Sequence, residues 1–239
     1  MHKKEFIGEK AIDQQKRVLI LGESHHWSAN DKCMTEEERF EKAQEYSTTK
    51  VVNDYLTNYN TCSGKERDQC YRFFDNIVNA FGINPETNRE KFWEKVYFGN
   101  YIDELCGVGD SFAMQLLKMH GNREKYNEQL FSFIRNNDID IVFCFSRRVY
   151  SKLPPLEGTD IELSGGKGDL QRMDKCIYYP GERKQSCISL DKPVTVYGFH
   201  HPSRGFNYCE CRNNKFIKQS KIDTNPNILQ RKYFKRRQT

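Results

Sequence analysis

The sequence predicts an α/β protein built on a parallel sheet, and three observations carry that prediction. Short apolar runs such as Arg17-Val-Leu-Ile-Leu-Gly22 recur without the polar alternation of a half-exposed strand. Segments with helical spacing lie between them, the alternation that builds parallel sheets. The first and last runs end in Gly or Pro punctuation and then polar side chains, as strands do where an α/β sheet meets its ligand.

The elements follow in order. Residues 17–22 read as a buried parallel strand. Thr35-Glu-Glu-Glu reads as a helix start with acids in its first turn, and helical pattern runs on with interruptions to about residue 58. Asn60 to Gly64 is turn-like. From Asp68 to Phe81, the residues Tyr71, Phe74, Ile77, Val78 and Phe81 keep helical spacing, and Gly82 stops the helix. Pro85-Glu-Thr opens a short helix through Trp93. Residues 96–102 form a second strand, 110–119 and 123–136 two helices, and 138–145 a third strand. A short helix from Arg147 to Leu153 ends at Pro154-Pro155. The glycine-rich stretch 158–173 reads as a loop, 174–190 as a hairpin around Pro180-Gly181, and 194–199 as the fourth strand. Residues 213–220 form a weak final helix.

Composition sets the outer limits. The 239 residues suffice for one large domain and are marginal for two. Charged residues make up 30%, but 16 Phe and 13 Tyr argue against a disordered chain. No apolar run reaches the roughly 20 residues of a membrane span. The start Met-His-Lys-Lys-Glu-Phe lacks a signal-peptide core, so a cytoplasmic location and mostly free thiols are expected for the nine cysteines. Cys209-Glu-Cys211 is a close pair without further ligands at recognisable spacing, so no metal or other cofactor is expected. Charge is uneven: the residues from Arg212 onward carry net +8 and the rest −3, within a total of +5. Domain boundaries follow as 1–211 for the α/β domain and 212–239 for a basic extension. Aromatics among the cations of Arg231-Lys-Tyr-Phe-Lys-Arg-Arg237 fit a nucleic-acid partner, although a solvated basic tail would look the same.

Four of the six histidines fall in two short segments at strand ends, Glu23-Ser24-His25-His26 and His200-His201-Pro202-Ser203. The second strand closes on Gly99-Asn100. Histidine changes charge near neutral pH, so both segments are candidate chemistry. Glu23 with the four histidines also forms a possible zinc set for a metal-dependent hydrolase, weakened because neighbours on an extended strand point apart. Gly165-Gly-Lys-Gly168 lacks the spacing of a phosphate-binding P-loop.

Taken together, Gly22-Glu23-Ser24, Val96-Tyr-Phe-Gly-Asn100, Ile141-Val-Phe-Cys-Phe-Ser146 and Tyr197-Gly-Phe-His-His-Pro-Ser203 resemble, in order, the strand-end motifs of the uracil-DNA glycosylase superfamily. The resemblance covers about residues 17–206. It implies a three-layer αβα sandwich with a central four-stranded parallel sheet. It implies a monomeric enzyme that hydrolyses the N-glycosidic bond of uracil or another deaminated or damaged base, flipped out of DNA. By resemblance Asn100 reads the base edge and His26 falls at the wall beside it. His201 stabilises the departing anion as an oxyanion-hole donor does. Ser203, Arg204 and Phe206 contact DNA, Phe206 as a wedge. The first motif departs from the pattern: Ser24 stands where the best-known members have Asp, and His25 where they have Pro. Glu23 or His25 is left to serve the water or the sugar cation. A nucleic-acid-binding module with reduced catalysis is the alternative. Each residue also has a plainer reading: a strand-end cap for Asn100, a structural histidine for His201, core packing for Phe206 and Trp27.

Overall fold

The computed structural model describes residues 5–26, 35, 38, 47–61, 71–102, 105–106, 110–118, 120–154, 162–164, 173–180 and 190–202. Its strands are β1 (Phe6–Ile7), β2 (Val18–Gly22), β3 (His25–His26), β4 (Tyr97–Asn100), β5 (Leu105–Cys106), β6 (Ile141–Cys144), β7 (Glu162–Ser164), β8 (Met173–Tyr178) and β9 (Val194–Gly198). Its helices, numbered along the chain, are α1 (Thr48–Asn58), α2 (Arg72–Ala80), α3 (Pro85–Trp93), α4 (Asp110–Lys118), α5 (His120–Asn136) and α6 (Arg147–Tyr150).

The α/β class is as the sequence predicts, but the sheet is larger. It has seven strands in the order β1-β4-β2-β6-β9-β8-β7. The centre, β4-β2-β6-β9, is parallel. Antiparallel strands extend it at both edges: β1 beside β4, and β8 then β7 beside β9. One local expectation is corrected by this pairing. Glu162–Ser164, within the expected 158–173 loop, is a strand. Met173–Tyr178 pairs with β9 and β7, and the second arm of the expected 174–190 hairpin, residues 181–189, lies outside the described residues. The expected helix at 213–220 and the whole 212–239 extension lie outside the described residues.

Local chemistry explains the element ends. Thr35 and Glu38 form a reciprocal capping box, each backbone N–H donating to the other's side chain at 2.8 and 3.2 Å. Ser47 caps α1 and Asn84 caps α3 ahead of Pro85. Past the end of α2, Gly82 takes φ 77°, and Ile83 N–H reaches the Val78 carbonyl at 3.3 Å, a Schellman stop.

Every residue of β2 is buried, because helices cover both faces. Ile20, Phe98 and Phe143 pack with α1, α2 and α3 around Tyr55, Phe74 and Trp93. Leu19, Leu21 and Val142 pack with α4 and α5 around Leu117, Phe131 and Ile134. Winding starts at β2, moves outward to β4, then crosses back to β6. The reversal falls between the carboxyl ends of β2 and β6, the position at which doubly wound sheets generally carry ligands. Among the described residues no helix is long and apolar enough to cross a membrane.

Candidate functional site

The carboxyl ends of β2 and β4 lie side by side, with Gly22 opposite Asn100. Alternation along β4 sends the Asn100 side chain to the same face as Phe98. There it leans over Gly22, and a Cβ on residue 22 would collide with Asn100 Oδ1. Asn100 Nδ2 lies 2.9 Å from His25 Nε2. The same ring nitrogen lies 3.2 Å from Oγ1 of Thr48, the buried first residue of α1. The His25 backbone is itself held, because β3 pairs with β5 in a separate two-stranded sheet. A short strand, a strand end and a helix start thus meet in one hydrogen-bonded group.

His201 follows β9 and is half-buried. Its ring centroid lies 5.2 Å from that of Phe73 on α2, at 42°. Phe73 lies 6.2 Å from Phe98, and the Phe98 ring borders Gly22. Asn76, one turn beyond Phe73, donates from Nδ2 to the Pro202 carbonyl at 2.6 Å and ties the His-Pro segment to the helix. Three strand spacings, about 14 Å, separate β4 from β9 at the backbone. Phe98 and Phe73 line that interval, so Asn100, His25 and His201 border one face of the sheet.

Glu23 does not join them. It alternates with Leu19 and Leu21, toward the opposite face, and is 3% exposed. Its Oε2 accepts from Ser146 Oγ at 2.6 Å and from Arg148 Nε at 3.1 Å. Its Oε1 lies 2.9 Å from Arg148 Nη2, an ion pair by distance whose angle does not make a hydrogen bond. Ser146 also caps α6 by accepting from Val149 N–H. This carboxylate therefore stitches the end of β2 to the start of α6 at the point where the winding reverses. Beneath it the Cys144 thiol donates to the Ser146 carbonyl at 3.4 Å, and burial pushes its pKa up to about 12.

The backbone of His26 pairs with Cys106 in the small sheet, while its side chain is not among those described. Trp27, Ser203, Arg204, Phe206, Cys209 and Cys211 lie outside the described residues. Among the described residues no three His, Cys, Asp or Glu side chains come together as a metal site. A crevice of about 50 Å³ lies beside the end of β4 and α5, lined by Glu5, Leu21, Gly99, Asn100, Tyr126 and Phe133, so Asn100 borders it as well as holding His25. It has room for a few water molecules.

Four partners escape a reading of the sequence motifs alone: Thr48, Phe73, Asn76 and Arg148. For two of them a signal exists. Phe73 and Asn76 are three apart on α2, so an aromatic that borders the core and an amide share one flank of the helix. No family model matches the chain, and no curated protein matches it.

Proposed function

We propose that the protein is a DNA base N-glycosylase, hydrolysing the bond between deoxyribose and uracil or another deaminated or damaged base. One observation carries the reading: an amide, Asn100, is held at a parallel-strand end on the same face as His201, with the ring of Phe73 between β4 and β9. A primary amide complements the adjacent acceptor and donor of a pyrimidine edge. An aromatic ring offers a flat surface to a flipped base. A histidine N–H near the base oxygen stabilises the anion left when the bond breaks. The fold this reading implies is the αβα sandwich of uracil-DNA glycosylases, with its parallel sheet extended at both edges.

A second reading has an observation of its own. Glu23 is engaged by Ser146 and Arg148, and Ser24 carries no charge, which favours a base-binding module with little catalysis. Base release from labelled oligonucleotides carrying uracil, hypoxanthine, xanthine or mismatched thymine separates the two. The glycosylase reading expects alkali-sensitive sites that vanish with His201→Ala while DNA affinity stays. Salt-sensitive binding without release from any substrate would reject it in favour of the module.

A further inference from the structure

We propose that His25 determines which base the site accepts, by fixing which way round the Asn100 amide presents its donor and acceptor. This rests on Asn100 being the base reader.

The oxygen and the nitrogen of an amide are almost the same size, so packing over Gly22 admits either rotamer of Asn100. Hydrogen-bond polarity has to choose between them. With Nδ2 at 2.9 Å from His25 Nε2, an amide N–H donates to the ring when Nε2 carries the lone pair, the role of the ring nitrogen being set by its tautomer. His25 is then the neutral tautomer with its proton on Nδ1. The second N–H and Oδ1, which lies over Gly22, form the amide's other edge, a donor beside an acceptor. That edge complements the O4 acceptor and N3–H donor of uracil. Turned over, the amide presents the reverse pattern, which complements the N4 amino group and N3 acceptor of cytosine. The turned amide would bring Oδ1 to Nε2 and would require the ring proton there.

Thr48 steadies the ring without choosing its polarity. Its hydroxyl at 3.2 Å either donates or accepts, and its place at the buried start of α1 keeps it still. Pairing of His25 with Leu105 in the small sheet fixes the backbone from the other side. His25 is thus a positioning residue that acts through Asn100 and need not touch the reacting atoms. An unanchored Asn would sample both rotamers and lose the distinction between the two pyrimidines.

Two measurements test this. The first needs no activity: ¹⁵N spectra of uniformly ¹⁵N-labelled full-length protein at neutral pH. The expected result is an unprotonated His25 Nε2 coupled through a hydrogen bond to Asn100 Nδ2. A proton on Nε2 would overturn the proposal. The second is the ratio of uracil to cytosine release from matched oligonucleotides. His25→Leu should lower that ratio about tenfold, the effect of one directed hydrogen bond. His25→Gln, which restores an acceptor, should recover part of it, and Thr48→Val should lower it less. His201→Ala should slow release without changing the ratio. An unchanged ratio in a folded His25→Leu protein would also overturn the proposal. Absence of any base release by the wild type would instead count against the glycosylase reading, and the ¹⁵N result would still decide the role of His25.

Discussion

The amide of Asn100 occupies the space that a side chain on Gly22 would need. The two residues are register partners at the ends of neighbouring parallel strands, so the glycine of the first motif and the asparagine of the second are one structural unit. Gly22→Ala is expected to push the amide off its place over β2. Misplacement by about 1 Å costs on the order of a hundredfold in a positioned reaction. The added methyl itself should destabilise the fold by only about 1–3 kcal/mol. Base-release kinetics beside a urea titration would check both halves: a large kinetic loss in a protein that still folds.

The Glu23–Arg148 pair makes a different prediction, about stability. Arg148→Ala leaves a carboxylate that is 3% exposed without its cation. Breaking a buried pair costs ~3–5 kcal/mol, and the arginine's partial exposure brings the expectation to the lower end. Ser146→Ala removes one donor to Glu23 and the cap of α6, with an expected cost of ~1–3 kcal/mol. Denaturant midpoints should therefore rank wild type above Ser146→Ala above Arg148→Ala. Glu23→Gln should recover stability in the Arg148→Ala background, because no charge is then stranded.

Acid stability is set at the far end of the sheet. Asp140 accepts from Arg17 N–H at 2.8 Å and from Lys192 Nζ at 2.9 Å, and Lys16 lies 3.4 Å away. Burial alone would raise its pKa, but the Arg17 N–H and the two lysines outweigh that and hold it below its usual value. Lys192 is the converse: burial pulls it down, and Asp138 and Asp140 together raise it. A depressed carboxyl stabilises the fold above its unfolded pKa of about 3.9 and loses that as pH falls through the folded value. A raised lysine stabilises below its unfolded pKa of about 10.4 and loses that as pH rises through the folded value. Asp140→Asn should lower the urea midpoint at pH 7, and the difference from wild type should shrink as pH falls below about 4.

Cys144 is expected to be chemically silent in the folded protein. A thiol with a pKa of about 12 is roughly one part in ten thousand thiolate at pH 8. Alkylation followed by peptide mapping should leave Cys144 unmodified in native buffer and modified in denaturant. Labelling in native buffer at the rate of an exposed thiol would contradict the packing around it.

The central strands are legible in the sequence because strands buried on both faces need continuous apolar runs, as in Val18–Gly22 and Ile141–Cys144. Gly82 and Pro85 mark helix ends for equally local reasons. What escapes is long-range. β1 and β3 have two residues each, too few to carry a period, and exist only through their partners. Glu162–Ser164 sits in a glycine-rich stretch whose composition reads as loop, yet β8 gives it a ladder to join. At the site, the strand-end motifs mark Gly22, Asn100 and His201. Nothing near Glu23 announces that its carboxylate faces Arg148, 125 residues away, because only the crossing from β4 to β6 brings them together.

The order of strands in space has a consequence for biosynthesis. β9 lies between β6 and β8, yet it follows β8 in the chain. A nascent chain that has produced β7 and β8 can pair them only with each other, and the free edge of β8 waits for residues 194–198. When β9 inserts, it closes the sheet and within three residues delivers His201. Completing the sheet and delivering this site histidine are therefore one event, and a chain interrupted before β9 has neither.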